Sequence, residues 1–551
     1  MPRTFALIEH LIVIRIVAGH LIAESSPRMN ALGKTTSAYE AVLYPSGIFP
    51  QTHPDRLATI GTLRGMFPAS VSCCRVLELA CGAGNNLITM AFNLPNGEFI
   101  GLDLAQRPIA SGQTLVAGLG LENVRLQQFD VSEISRERFG QFDYIVVHGL
   151  YSWVPEPVRE RILAACRELL NPQGIAYISY NAQPGNHLHE LSRGIMRYHV
   201  ANFEEPQEKI RQARGILKFL AESRTIPNPY VTGLKAESER VLKYTDEVFF
   251  HDDLSEINQP FYFHEFIGDA QRHGLQFVGE ASPNELGPRT FAPEVMTKMK
   301  ELEAGDELIR EQYKDFFLGR AFRETLLCHG ELKLAPDFLP EKVPKLYASC
   351  DAILTERQES NSALFRRHEG SELETQHPLI AAALKYLCTQ WPCAVAFDTV
   401  LENVGTAIAV NNRVSTGEPE STSLAQALTT AYKAGFVELH VVPPRLVNRV
   451  SERPTSSRLA RFQLQVGEST ANQLHQPVKF SDSLSRQLVL LLDGSRDTET
   501  IARELTEFVK SAQSEIQGGA SVADPDEFNS SARRKVEESL KTLAKGAMLI
   551  A

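Results

Sequence analysis

The sequence predicts an α/β fold: a seven-stranded sheet with helices on both faces, interrupted by helical insertions and followed by mainly helical C-terminal domains. Three observations carry this. From residue 75, short apolar runs alternate with amphipathic stretches. After Asn181 that rhythm lapses into helical pattern, then resumes near residue 260. Beyond residue 377 come two similar helical blocks, each closing on a helix, a glycine and a short β-like run. Buried apolar strands interleaved with amphipathic helices imply a parallel sheet covered on both faces.

The first strand is "RVLELA", followed by a helix from Asn85 to Asn93. "GEFIGLDL" is the second strand, and Arg107 to Leu119 the next helix. "VRLQQFDV" and "FDYIVVHG" are the third and fourth strands. A helix from Pro155 to Leu170 opens with proline and acidic residues, as helix starts prefer. "GIAYISYN" is the fifth strand. Residues 186–250 read as helix with a proline-rich break at "IPNPY". "PFYFHEFIGDAQRHG" is then a helix, and "LQFVGEA" and "FRETLLCHG" complete the sheet, leaving helical insertions at 182–260 and 283–318. Residues 336–376, rich in proline, charge and serine, read as a linker.

The two helical blocks are "HPLIAAALKYLC" through "FVELHVV" and "SLSRQLVLLLDG" through "AMLIA". Their pattern suggests winged helices. "SLAQALTTAYKAG" carries one lysine and no arginine, poor equipment for phosphate contacts, so protein contact or a homodimer is the expected use.

At 551 residues the chain is too long for one core. A formal charge of −11 argues against a nucleic-acid footprint. The eight cysteines form no paired C-x-x-C units, which indicates neither a metal site nor a disulfide framework and fits a reducing cytoplasm. "FALIEHLIVIRIVAGHLIA" is broken by Glu9, His10, Arg15 and His20, so it supplies no membrane span and no signal-peptide core. It reads as an amphipathic helix or as a segment upstream of a working start at Met29.

"VLELACGAGNN" runs an apolar strand into a glycine turn. No lysine follows Gly84 where a phosphate-cradling loop needs one, and Leu87 stands where a dinucleotide turn needs a small residue. What remains is Glu78, then Gly82 and Gly84, whose missing side chains admit a ligand close to the backbone. Asp103 ends the next strand, 19 residues after Gly84, where a carboxylate accepts from ribose hydroxyls. Asp130 ends the third strand, placed for an adenine amino group. A nucleoside without a phosphate tail fits this set: S-adenosylmethionine.

"VLELACGAGNN", "FIGLDLAQ" and "FDV" resemble the ligand motifs of class I S-adenosylmethionine-dependent methyltransferases, whose sheet is Rossmann-like. "YPSGIFPQTHPDRLATIGTLRGMFP", "FDYIVVHGLYSWVPEPVR", "YISYNAQPG", "FFHDDLSEINQPFYFHEFIGDAQRHGLQFVGEA" and "RAFRETLLC" resemble bacterial members that carry a methyltransferase regulatory domain. That group includes lysine methyltransferases acting on outer-membrane proteins. The resemblance covers 39–330 strongly and 377–551 more loosely, and it departs at Ala80, where glycine is commoner. It implies an N-terminal extension at 1–38, a cofactor-binding core at 39–181, and insertions plus regulatory region at 182–333. A linker at 334–376 and domains at 377–450 and 451–551 complete the division.

The cofactor set implied around the turn is Glu78, Ala80, Gly82, Gly84 and Asn86. Asp103, Leu104, Asp130 and Val131 follow at strand ends, with His148 and Tyr44 beside them. The loop after the fourth strand lies where this fold places its acceptor, so His148, Tyr151 and Trp153, with Tyr180 and Asn181, are expected to align it. His53 is expected to fold over the cofactor with Tyr44. Tyr151 or His148 is the candidate proton acceptor for a lysine substrate. The fourth strand ends "HGLYSW" and lacks the Asn/Asp-Pro-Pro-aromatic tetrad that holds a flipped base. The resemblance implies a protein substrate of outer-membrane or surface type. A small-molecule methyltransferase and a regulatory binding module without turnover stay open.

Overall fold

The computed structural model describes residues 15–16, 42–223, 228–282, 292–303, 305–355, 362–367, 370–410, 420–516 and 525–551. The chain divides into two compact units, one of His20–Gly47 and Arg56–Phe338 and one of Met1–Gly19, Ile48–Asp55 and Leu339–Ala551.

The first unit is built on a seven-stranded sheet. Its strands are β1 (Arg75–Leu79), β2 (Glu98–Asp103), β3 (Val124–Gln128), β4 (Phe142–Val147), β5 (Leu170–Asn181), β6 (Leu275–Glu280) and β7 (Phe322–His329). Their spatial order is β3-β2-β1-β4-β5-β7-β6. β1 to β5 pair in parallel, with Leu77 opposite Ile100 on one side and Ile145 on the other. β1, β2, β4 and β5 from Ile175 onward are buried on both faces, which is why they read as near-continuous apolar runs, whereas the edge strand β3 exposes Arg125 and Gln128.

At the far edge the sheet becomes mixed. β7 runs antiparallel to both β5 and β6, with Ala176 opposite Leu327 and Leu275 opposite His329. The physical reason lies in the connection. A parallel partner for β6 would need a crossover to the opposite end of the sheet. The helices Pro293–Glu303 and Glu307–Leu318 instead return the chain to the end where β6 stops, so β7 runs back.

The earlier insertion forms helices Asn186–His199, Pro206–Glu222, Pro229–Val241 and Asp246–Asp253 around a core of its own, including Met196, Leu217, Leu234 and Phe249. Asn228 caps one of them by accepting from the Val231 amide at 2.9 Å, so the proline-rich break is a helix start.

Cutting the chain at about residue 185 would remove β6 and β7 and uncover the β5 edge. Leu326, Leu327 and Cys328 are fully buried in the intact sheet. The fragment should aggregate, as an apolar unpaired edge does. Size-exclusion chromatography showing a folded, cofactor-binding monomer would contradict this.

The second unit overturns the expected linker. Tyr347–Ser349 is the central strand of a small antiparallel sheet, between Val395–Ala396 and Glu438–His440. Ile353–Thr355, Ala363–Arg366 and Glu372–Thr375 form a meander in which Leu364 and Phe365 are buried. Strands this short carry too little alternation to outweigh a proline- and serine-rich composition. Helices Pro378–Gln390, Phe397–Val410 and Glu420–Lys433 complete the first helical block. The second has helices Arg458–Val466, Ser483–Leu491, Thr498–Ile516 and Pro525–Lys545 and the hairpin Ser469–Ala471 with Pro477–Lys479. Leu464, Val478, Leu488, Ile501 and Leu543 pack its core. The N-terminal extension lies outside the described residues except Arg15–Ile16, which pair with Val478 and Lys479. Among the described residues no helix is long and apolar enough to cross a membrane.

Candidate active site

The glycine turn leaves β1 through Ala80 at φ 58°, Gly82 at 56° and Gly84 at 71°. An alanine in this left-handed region costs about 1 kcal/mol more than glycine, which accounts for glycine being commoner there. The two glycines have different tasks. A Cβ on Gly84 would lie 2.8 Å from the Leu126 side chain, so its bareness lets the turn pack onto β3. Among the described residues, a Cβ on Gly82 would meet only the Ser46 hydroxyl at 3.8 Å, which leaves room on that side of the turn for a ligand.

Asp103 closes this turn. Its Oδ2 accepts from the Gly82 amide and its Oδ1 from the Ala105 amide, each at 2.8 Å. Each oxygen keeps one lone pair for a ribose hydroxyl. Asp130 accepts from the Ser132 amide at 2.8 Å and starts the turn that holds Val131. The Leu104 carbonyl accepts from Gln128 at 3.0 Å, leaving its side chain half-buried beside Asp103. Tyr44 stands edge-on to His251 at 5.7 Å, and two residues later the Ser46 carbonyl accepts from Asn85 at 3.3 Å. The segment 42–46 therefore lies along the turn. His53 belongs to the second unit, where its ring lies 5.2 Å from His475. Neighbouring Asp55 is fastened there by His440 and by the Val441 and Val442 amides.

Glu78 is buried beneath the turn, with Oε1 accepting from Asn86 at 2.9 Å and Oε2 lacking any hydrogen bond. Burial raises its carboxyl to about 7, opposed by the Asn86 hydrogen bond and aided by the Asp103 charge. The folded state therefore keeps a proton that the unfolded chain releases near 4.5. Stability from this group is full below 4.5 and falls as pH rises to 7, by on the order of 3 kcal/mol. Denaturation midpoints should fall across this window, and Glu78→Gln should flatten the slope. An unchanged slope in that variant would place the proton elsewhere. A cationic ligand group near Oε2 would favour the ionised form.

At the ends of β4 and β5 the structure divides the expected acceptor residues. Alternation along β5 sends Tyr177, Ser179 and Asn181 to one face and Ile178 and Tyr180 to the other. Tyr180 stacks on Phe266 at 4.1 Å, and Tyr151 meets Phe266 and Phe261 edge-on or tilted in the same apolar core. Burial pushes both phenols well above their ordinary range. They are core aromatics, not acceptor-aligning groups, and Tyr151 is no proton acceptor. Trp153 is likewise buried, with the Arg193 guanidinium 5.5 Å above its ring.

His148 and Asn181 remain near the expected place. The Asn181 side chain donates to Asn258 at 2.6 Å, and Asn258 to Glu190 at 2.5 Å. His148 lies 2.9 Å from the Tyr177 hydroxyl, while the Gly149 amide donates to Ser179 at 2.8 Å. Burial holds the imidazole down at about 3, so it stays neutral and is a poor proton store. Tyr177, Ser179 and Glu324 were missed in sequence. Period-two alternation from His148 and Asn181 would have found the first two.

The residues fit S-adenosylmethionine: a carboxylate with spare acceptor capacity at Asp103, an open cradle at Gly82 and the orphaned Glu78 oxygen under it. Among the described residues no group of three His, Cys, Asp or Glu could hold a metal ion.

Comparison with known proteins agrees. Residues 77–176 match the family described as methyltransferase domain, 245–329 the predicted methyltransferase regulatory domain, and 452–548 the PKMT C-terminal winged helix domain. An uncharacterized protein of Rickettsia prowazekii is 30% identical over 518 residues, covering 92% of this chain and 91% of that protein. A second from the same organism is 37% identical over 242 residues, covering 44% of this chain and 96% of that one. The structure of PKMT2 from Rickettsia typhi in complex with AdoHcy is similar with a TM-score of 0.79 and 26% identity. It covers 92% of this chain and 100% of that chain.

Proposed function

The chain belongs to the S-adenosylmethionine-dependent methyltransferases that carry a methyltransferase regulatory domain, and from this we propose that its acceptors are lysine side chains of a protein. The observation that carries the reading is likeness to a protein lysine methyltransferase over nearly the whole chain, C-terminal winged helix included. A compact metabolite needs no such additional surface. The cysteines are free thiols, which supports a cytoplasmic setting. An outer-membrane or surface protein as substrate, and a homodimer as the working form, belong to the same proposal.

In this reading Asp103 takes the ribose hydroxyls, Asp130 the adenine amino group, and the Gly82 backbone lies against the ligand. S-adenosylmethionine supplies a methyl group on a sulfonium. The chain's own task is to present an unprotonated amine in line and to exclude water. A free lysine titrates at about 10.4, and neither His148 nor Tyr151 can store its proton. The unprotonated fraction of the amine therefore sets the rate of productive docking, and kcat/KM should rise with pH above 7.

The test is incubation with labelled cofactor and candidate outer-membrane or surface proteins, then mapping of methyl groups by mass spectrometry. Label on lysine is expected. Label only on a metabolite, or on protein carboxylates, would overturn the reading.

A further inference from the structure

Segment 42–47 is neither helix nor strand, so no regular ladder of backbone bonds holds it. Two side chains distant in sequence reach its carbonyls instead. At one end Asn85, the first residue of the helix after the glycine turn, donates to the Ser46 carbonyl at 3.3 Å. At the other end His251 Nε2 lies 2.7 Å from the Val42 carbonyl. A carbonyl only accepts, so the imidazole is the donor and its Nε2 carries the proton. Burial holds the ring down at about 4, against the pull of that bond, so it is neutral near pH 7. Val42 and His251 are both buried, and Tyr44 between the two ends stands edge-on to the imidazole at 5.7 Å.

The helix that carries His251 is Asp246–Asp253. At about 100° per residue, side chains two apart lie on opposite sides of a helix. Phe249 accordingly enters the insertion core with Leu217 and Leu234, the Arg214 guanidinium 4.4 Å over its ring, while His251 reaches segment 42–47. The helix therefore bridges the insertion core and that segment. It also opens the stretch 245–329 that matches the regulatory domain. The segment in turn bounds the cradle, since Ser46 Oγ is 3.8 Å from where a Cβ on Gly82 would lie.

We propose that His251 is a positioning residue for the cofactor: it latches segment 42–47 beside the Gly82 cradle, so that the helix Asp246–Asp253 governs how fast S-adenosylmethionine leaves. Exit past Gly82 moves Ser46, and with both ends of the segment tied that movement breaks a hydrogen bond. One neutral bond to a buried carbonyl changes such a rate by about an order of magnitude. A small shift of the insertion is enough to make or break it. The latch concerns the cofactor alone and holds whichever acceptor takes the methyl group.

The experiment uses the full-length protein loaded with labelled S-adenosylmethionine and chased with excess unlabelled cofactor. His251→Phe keeps an aromatic ring of similar bulk but has no donor, and release should quicken roughly tenfold. His251→Gln places an amide N–H near the Nε2 position and should bring release back to within about threefold of wild type. Hydrogen exchange read by mass spectrometry separates a latch from a mere support of the insertion. In His251→Phe, exchange should rise at 42–47 while the helix Pro229–Val241 keeps its protection. In the wild type, cofactor should slow exchange at 42–47 and at 246–253 together. An unchanged release rate in a folded His251→Phe would overturn the proposal. So would loosening of Pro229–Val241 in that variant, release from His251→Gln as fast as from His251→Phe, or wild-type exchange at either stretch that ignores the cofactor.

Discussion

Arg323→Met should lower the melting transition of the sheet-bearing unit by roughly 10 °C, the consequence of about 3–5 kcal/mol lost. Arg323 is fully buried on β7. Its Nε and Nη2 form a two-pronged pair with Asp315 at 2.9 Å, and Nη1 donates to Glu280 at 2.6 Å. Nη2 also reaches the Glu311 carbonyl at 3.0 Å, and the guanidinium lies 4.0 Å over the Phe263 ring. One cation thus ties β6 and β7 to the helix Glu307–Leu318.

Methionine fills much of the volume but leaves Glu280 and Asp315 buried without that cation. The uncompensated charge, not the lost attraction, sets the size of the effect. Arg323→Lys keeps the charge but cannot make the two-pronged contact, so it should fall between the two. Calorimetry showing Arg323→Met within 2 °C of wild type would mean the network contributes no net stability.

This network also shows why the sheet was only partly legible. Val76, Leu77 and Leu79, or Tyr144 to Val147, are buried on both faces, and a continuous apolar run announces that directly. The direction of β7 is not written in its own residues; "FRETLLCH" would alternate identically either way. Its direction follows from the end at which Glu307–Leu318 returns the chain. The same gap explains the acceptor side. Tyr180 and Asn181 are adjacent in sequence but project to opposite faces, so one joins Phe266 in the core and the other faces Asn258. The cofactor side was clearer because glycine spacing and strand-end acids are local. Even there, only the approach of Leu126 to Gly84 distinguished a packing glycine from one beside an open cradle.

Asp103→Ala should weaken S-adenosylmethionine binding by roughly a hundredfold, or about 3 kcal/mol. Two losses combine. The proposed ribose hydroxyls would lose a charged acceptor, worth about 1.5–3 kcal/mol on its own. The Gly82 and Ala105 amides would also lose the carboxylate that fixes the turn. Burial raises the Asp103 carboxyl despite those two amide bonds, so the site holds its charge at some cost. Asp103→Asn separates the contributions. Its carbonyl oxygen can still serve one amide, but its NH2 would face the other donor, and the charge is gone. That variant should lose roughly tenfold, between wild type and alanine. Titration calorimetry with S-adenosylmethionine reads both, and circular dichroism confirms that each variant is folded. Unchanged affinity in a folded Asp103→Ala would remove the ribose from this carboxylate and leave Asp103 as a clasp for the turn.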